Sequence, residues 1–259
     1  MSRLNAVHGI VARDLHRTIR QKSRLLGGLV RPFMWLLLVG TGYNAIARVE
    51  GGLSYRAFVY PGIIVMAALF GAMLTAISTV YDREFGMLRL MLASPAGTAA
   101  VLTGRALAAA LVGILQGGVV LLCAPLLLRL TAGQFVMAAA VLVIAAASSS
   151  LLGILVAAPV RSVENFAGVI NVVLFPLLFV SGALYPTVQM PGWLRGVARL
   201  NPVTYQVDLM RAALGQPSEF GIARSLVAIA VASLVTFGLT GLLFDPQARF
   251  VRRGPSARS

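Results

Sequence analysis

Apolar positions along this chain run in long blocks, not in alternation. Six stretches, approximately 29–47, 58–80, 106–128, 135–157, 166–185 and 225–244, are long and apolar enough to cross a membrane. A crossing helix needs about 20 mostly apolar residues to traverse the roughly 30 Å hydrocarbon layer. The blocks are rich in Leu, Ala and Gly and lack period-two alternation, which excludes strands. Helices meet lipid's demand that backbone hydrogen bonds be satisfied within the segment. The pattern predicts a single all-α integral membrane domain: 1–28 ahead of the first span, a six-span region over 29–244, and a polar tail over 245–259. Arg31 and Pro32 fall near the start of the first span. The arginine is expected to snorkel to the interface, and proline is tolerated in a first turn.

Ahead of the first span, residues 3–24 read as an amphipathic helix. Leu4, Val7, Val11, Leu15 and Ile19 share one face, and Arg13, Arg17, Arg20 and Arg24 share another. Two readings stay open: a helix lying on the membrane surface with its basic face toward lipid phosphates, or a positively charged flank. Between the fifth and sixth spans, Pro186 to about Arg224 is too polar and too broken by proline and glycine to span. Its apolar residues, with Trp193 and Tyr205, predict short external or re-entrant helices at the interface, where Trp and Tyr are favoured.

Composition sharpens this picture. Hydrophobic residues make up 58% and charged residues 12%, against roughly 45–50% and 25% in soluble domains. The net charge of +14 does not form a nucleic-acid stripe, because the basic residues punctuate apolar runs. With the N-terminus inside, 15 of the 22 basic residues fall on the inner side and 7 outside, so both termini are expected in the cytoplasm. Low lysine with abundant arginine and alanine suggests a GC-rich bacterial source, hence the inner membrane. Cys123 stands alone in an apolar segment, and His8 and His16 lack a carboxylate or cysteine cluster, so neither a disulfide nor a metal site is expected.

Catalytic motifs are missing. Lys22 is the only lysine and no phosphate-binding glycine loop precedes it, so the chain is not expected to hydrolyse ATP or to be an enzyme. All eight acidic residues fall in loops or at predicted helix ends. Gradient-coupled carriers keep an ionisable group deep in the membrane, so uphill transport here would draw its energy from another subunit. The spans carry uncharged polar residues instead: Thr75, Ser78, Thr79, Gln116, Ser148, Ser149, Ser150 and Asn171. Most read as helix-packing groups, together with Gly113 and Gly117. Gln116 and Asn171 are the better candidates for a substrate path, because a large amide is costly to leave unpaired.

Residues 58–105 carry a resemblance to a known family. They run from Phe58-Val59-Tyr60-Pro61-Gly62 through Tyr81-Asp82-Arg83-Glu84-Phe85-Gly86 to Leu92-Ala93-Ser94-Pro95 and Gly104-Arg105-Ala106. With Phe179-Val180-Ser181-Gly182, Tyr185-Pro186, Asn201-Pro202 and Met210-Arg211, the chain resembles the ABC-2 type exporter permeases over nearly its whole length. The flavour is that of drug-resistance and nodulation-factor exporters. The resemblance implies a permease driven by a separate ATPase subunit that holds ATP and Mg. It implies that Asp82, Arg83, Glu84, Phe85, Gly86, Met87 and Leu88 form the coupling element docking on that subunit. Arg83 and Glu84 offer both charge signs there, and Phe85, Met87 and Leu88 offer apolar anchors; the alternative is an ordinary solvated turn. It further implies two copies with a pathway along their interface, pointing to Thr75, Thr79, Asn171 and Phe175, and an external gate including Tyr185, Pro186 and Trp193. The rival functions are a gradient-driven carrier or channel and a membrane scaffold without transport.

Overall fold

The computed structural model describes residues 3–44, 54–93 and 97–252, and these are helical with short connections. Residues 45–47 of the first expected span, Ser94-Pro95, and Arg253 and Arg258 of the tail lie outside the described residues. Helix α1 (Arg3–Arg20) is followed by α2 (Lys22–Met34), a π-helical turn (Trp35–Val39) and α3 (Gly40–Asn44). Then come α4 (Tyr55–Glu84), α5 (Met87–Ala93), α6 (Gly97–Leu122), α7 (Ala132–Ala157) and α8 (Val163–Phe179). The chain continues through α9 (Gly192–Leu200), α10 (Pro202–Ala213) and α11 (Ile222–Arg252).

Apolar all round, α4 is the centre of the molecule. It starts at Ser54, whose hydroxyl accepts from the Ala57 amide, and α2, α6, α7, α8 and α10 enclose it. Small residues let the axes close up. A Cβ added at Gly113 would come within 2.8 Å of the Ala68 carbonyl oxygen, and one at Gly153 within 3.0 Å of the Met73 Cα. The packing role expected of Gly113 and Gly117 is thus what they perform against α4 and α7.

Among the described residues, five stretches are long and apolar enough to cross a membrane: Leu25–Tyr43, Tyr55–Glu84, Gly97–Leu126, Ala132–Ala157 and Ile222–Phe244. The fifth expected span, 166–185, is shorter. Its helix α8 has 17 residues, about 25 Å at 1.5 Å per residue. The chain turns out of the helix where the Ser181 hydroxyl donates to the Leu178 carbonyl and Gly182 takes a φ of 77°, a left-handed conformation that glycine adopts without steric cost.

Helix α1 packs against α6, with Ile10 on Gly104. Its buried face is Ile10, Asp14 and Thr18, while Leu4 and Ile19 of the expected apolar stripe are exposed. At the opposite end of the bundle, α10 is buried between α4, α7 and α11, and the Ser149 hydroxyl donates to Gln206 Oε1. Helix α9 turns Trp193, Val197 and Leu200 outward at i, i+4 and i+7.

Candidate functional site

The turn leaving α4 forms for local reasons. Phe85 leaves helical geometry, Gly86 takes a φ of 77°, and the Gly86 amide donates to the Arg83 carbonyl at 3.1 Å. This is the left-handed glycine stop of a helix. The chain then re-enters the short helix α5, which lies against α4, α6 and α11.

Beneath the turn is a buried ion network. Asp82 Oδ2 accepts from Arg105 Nη2 at 2.5 Å and from Arg13 Nη2 at 2.7 Å. Arg13 also donates to Asp14 Oδ1 at 3.1 Å, and Arg105 Nη1 stands 3.9 Å from Asp14 Oδ2. Arg105 Nη1 further donates to the Thr79 hydroxyl at 3.2 Å, and its side chain is 1% exposed. The sulfur of Met91, on α5, contacts both Arg13 and Arg105. Burial lowers the Arg13 pKa, and the carboxylates of Asp14 and Asp82 more than reverse that, leaving it raised. The charges thereby lash α1, α4, α5 and α6 together at one point.

Arg83 and Glu84 extend the lashing to other helices. Arg83 Nη1 donates to the carbonyls of Ala157 and Val160 at 3.0 and 2.6 Å, and its guanidinium stands over the Phe244 ring. Glu84 Oε2 accepts from the Val163 amide at 2.9 Å, at the N-terminus of α8, where a helix dipole favours negative charge. The two charges expected to offer both signs for docking thus also serve the ends of α7 and α8, with Glu84 still exposed. Leu88, expected as a docking anchor, is buried, at 1% exposure. The outward surface consists of Phe85 (77% exposed), Met87 and Leu90, with the exposed Glu84 and Arg89 beside them. Behind this surface, Asp82 is bonded to Arg13 of α1 and Arg105 of α6, Arg83 to the carbonyl end of α7, and Glu84 to the first amide of α8.

The remaining expected site residues divide into three groups. Thr75 and Thr79 are buried within the single chain, Thr75 donating to the Gly71 carbonyl. Gln116 is also buried, wedged against Gly28 and Gly71 with its Oε1 unpaired among the described residues. None of these three faces outward. Asn171 and Phe175 lie on the exposed face of α8, whose inner face is Phe166, Ile170, Leu174 and Leu178; Asn171 donates to the Ala167 carbonyl. Tyr185 and Pro186 line a cavity of about 520 Å³ with Trp35, Tyr43, Tyr55, Phe58 and Phe179, whereas Trp193 stands apart on the outer face of α9. Arg211 supports this cavity from behind. Its guanidinium lies 4.1 Å from the Phe58 ring centroid, donates to the Gly182 carbonyl at 2.5 Å and pairs with Glu219. Burial lowers its pKa, and Glu219 and Asp208 oppose that shift.

Sequence reasoning named neither Asp14, Arg13 nor Arg105 as a site residue. The available signal was Asp14 itself, the one acid in a basic helix, set four residues from both Ile10 and Thr18.

Comparison with known proteins agrees with this architecture. The chain is 27% identical over 238 residues to a putative transport permease, ycf38, of Cyanophora paradoxa, covering 84% of this chain and 81% of that protein. It is 28% identical to nodulation protein J of Rhizobium leguminosarum bv. trifolii, covering 75% and 76%. It is 24% identical to the inner membrane transport permease YadH of Escherichia coli (strain K12), covering 80% and 81%. A family model described as ABC-2 type transporter matches residues 5–214, and with that match spanning most of the chain, including α1, the turn after α4 and the cavity, the protein belongs to the ABC-2 type transporter family.

Proposed function

We propose that this chain is the membrane permease subunit of an ATP-driven exporter, with the turn after α4 as the docking point for a separate ATPase subunit. The observation that carries the proposal is the exposed apolar group of that turn. Asp82 and Arg83 are engaged by neighbouring helices, while Phe85, Met87 and Leu90 stand outside beside the exposed Glu84 and Arg89. Exposed aromatic and methionine side chains on a rigid base are what a partner's groove takes up as anchors. The partner supplies ATP and Mg chemistry. Binding of ATP draws two ATPase subunits together, and the network carries that motion into α1, α6, α7 and α8.

In this reading two copies of the chain form the pathway, with the exposed face of α8 toward the second copy. Helix α8 with the segment after it makes the sixth crossing, α9 lies in the outer interface, and both termini are cytoplasmic in a bacterial inner membrane. The relatives named as transport permeases support it. The test is co-purification from mild detergent with mass spectrometry of bound subunits. An ATPase subunit should accompany the native chain, and Phe85→Ala should lose it while the chain itself stays folded. A native chain that purifies stably with no ATPase, or moves substrate on a proton gradient alone, ends the proposal.

A further inference from the structure

One wall of the aromatic cavity is not a helix of the bundle. Leu184, Tyr185, Pro186 and Gln189 line it, and they belong to the connection between α8 and α9. The first part of that connection is seated on the bundle. Ala183 lies directly on Gly62, where an added Cβ would meet its Cβ at 2.6 Å. The Tyr55 hydroxyl donates to the Leu184 carbonyl at 2.8 Å, and Arg211 holds the Gly182 carbonyl. The second part forms a small body of its own. Arg195 on α9 donates to the carbonyls of Thr187, Val188 and Met190, so the 3₁₀ turn Thr187–Gln189 is bound to α9. Of residues 187–200 only Thr187, Met190 and Ala198 are buried, which leaves little apolar area to hold this body down. Its far end is pinned: Asn201 Nδ2 donates to the Leu177 carbonyl and the Tyr205 hydroxyl to the Arg199 carbonyl, both at 2.7 Å.

The near end is held by one side chain. Among the described residues, the hydrogen bonds from residues 187–197 to the bundle all go to Glu219. The Thr187 amide donates to Glu219 Oε1 at 3.2 Å, and the Thr187 hydroxyl donates to Oε2. Glu219 is a fixed post. Its loop is fastened to α10 by Asp208, which accepts from the Ser218 and Ser225 hydroxyls at 2.7 and 2.8 Å and from the Glu219 amide at 2.6 Å. Arg211 stands 3.5 Å from Glu219 Oε1. An ionised carboxylate makes the stronger kind of hydrogen bond, and both of its oxygens are committed here. The chain has slack once they let go. Thr187 folds back on Gly182, where an added Cβ would meet its Cγ2 at 2.7 Å, and the three residues from the Leu184 pin to Thr187 reach about 10 Å when extended. We infer that, given the permease reading, the turn and α9 form a flap over the exit of the cavity, hinged at Asn201 and latched by Glu219 on Thr187. Outward release requires this latch to open. A segment held by few buried contacts is the kind that opens at low cost.

The test reads the flap directly. The full chain with Cys123→Ser, in nanodiscs, carries spin labels at Trp193→Cys on the flap and Pro217→Cys on the post loop, both exposed positions. It is diluted with unlabelled chain so that only distances within one copy are read. Pulsed electron paramagnetic resonance should give one dominant distance for the latched chain. Glu219→Gln leaves one acceptor oxygen where two are used, and Thr187→Val removes the hydroxyl donor. Each should raise the share of a second, longer distance about tenfold relative to the latched one, as the loss of a charge-assisted hydrogen bond predicts. A label at Leu184→Cys in the cavity should become more accessible to a water-soluble relaxing agent, while the midpoint of unfolding in SDS stays where it was. An unchanged distance in both variants overturns the inference. So does a longer distance with Leu184→Cys no more accessible, which would separate the flap from the cavity. A lowered unfolding midpoint in both variants also overturns it, by making Glu219 a support of the fold. The assay contains no ATPase, so its failure leaves the docking test standing, and failed docking leaves this result readable.

Discussion

Replacing Asp82 by Asn keeps the shape of the network and removes one of its two negative charges. Arg105 is the group most affected, since its side chain is 1% exposed and its 2.5 Å contact to Asp82 is its shortest. Removing one partner of a buried ion pair costs about 3–5 kcal/mol, chiefly because the other charge stays buried and uncompensated. The low end applies here, because Asn still accepts a hydrogen bond, Thr79 still accepts from Arg105, and Asp14 remains at 3.9 Å. The contact of Asp82 with Arg13 adds little, since Arg13 is 40% exposed and pairs of that kind are worth at most about 1 kcal/mol. The expected loss is therefore about 3 kcal/mol, on the order of a hundredfold in the unfolding equilibrium. Reversible unfolding of the purified chain in mixed micelles of increasing SDS fraction, followed by tryptophan fluorescence, measures it. In the double variant Asp82→Asn/Arg105→Gln the loss should fall short of the sum of the single losses by about 2 kcal/mol, because the stranded charge is gone. An Asp82→Asn loss below about 0.5 kcal/mol, the range of ordinary surface changes, refutes the buried-pair argument, and strict additivity refutes the pairing.

Two further expectations use the same titration. Leu88→Ala should cost about 2–5 kcal/mol, as for other buried leucines, whereas Phe85→Ala should leave stability within about 0.5 kcal/mol and weaken ATPase binding by about 2 kcal/mol, roughly thirtyfold; the reverse order would mean that α5 is seated the other way round. Gly113→Val places a Cβ 2.8 Å from the Ala68 carbonyl oxygen, which belongs to the backbone of α4 and has no rotamer to yield. It should cost about 1–3 kcal/mol by forcing α4 and α6 apart, and a neutral result would show that the two helices are not in contact there.

Much of the architecture was legible in one dimension because its causes are local. Long Leu/Ala/Gly blocks can only be helices in lipid, the Phe85-Gly86 stop needs only a residue tolerant of positive φ, and Gly113 and Gly117 signal close approach by lacking side chains. The end of α8 was misjudged because Val180, Leu184 and Tyr185 prolong the apolar block beyond the glycine turn that ends the helix. Hydropathy registers the side chains and is blind to the backbone's change of direction. What no spacing could disclose was partnership. Asp14, Asp82 and Arg105 each read as a loop or helix-end charge, and Arg83 and Glu84 as charges offered for docking. Only the packing of α1 against α6 and of α7 and α8 against the end of α4 brings them together, turning Asp14, Asp82 and Arg105 inward and leaving Phe85 exposed. Local periodicity decides which segments are helices. Which charges are buried is decided by helix ends meeting across the bundle, because an ion pair depends on distance in space and not along the chain.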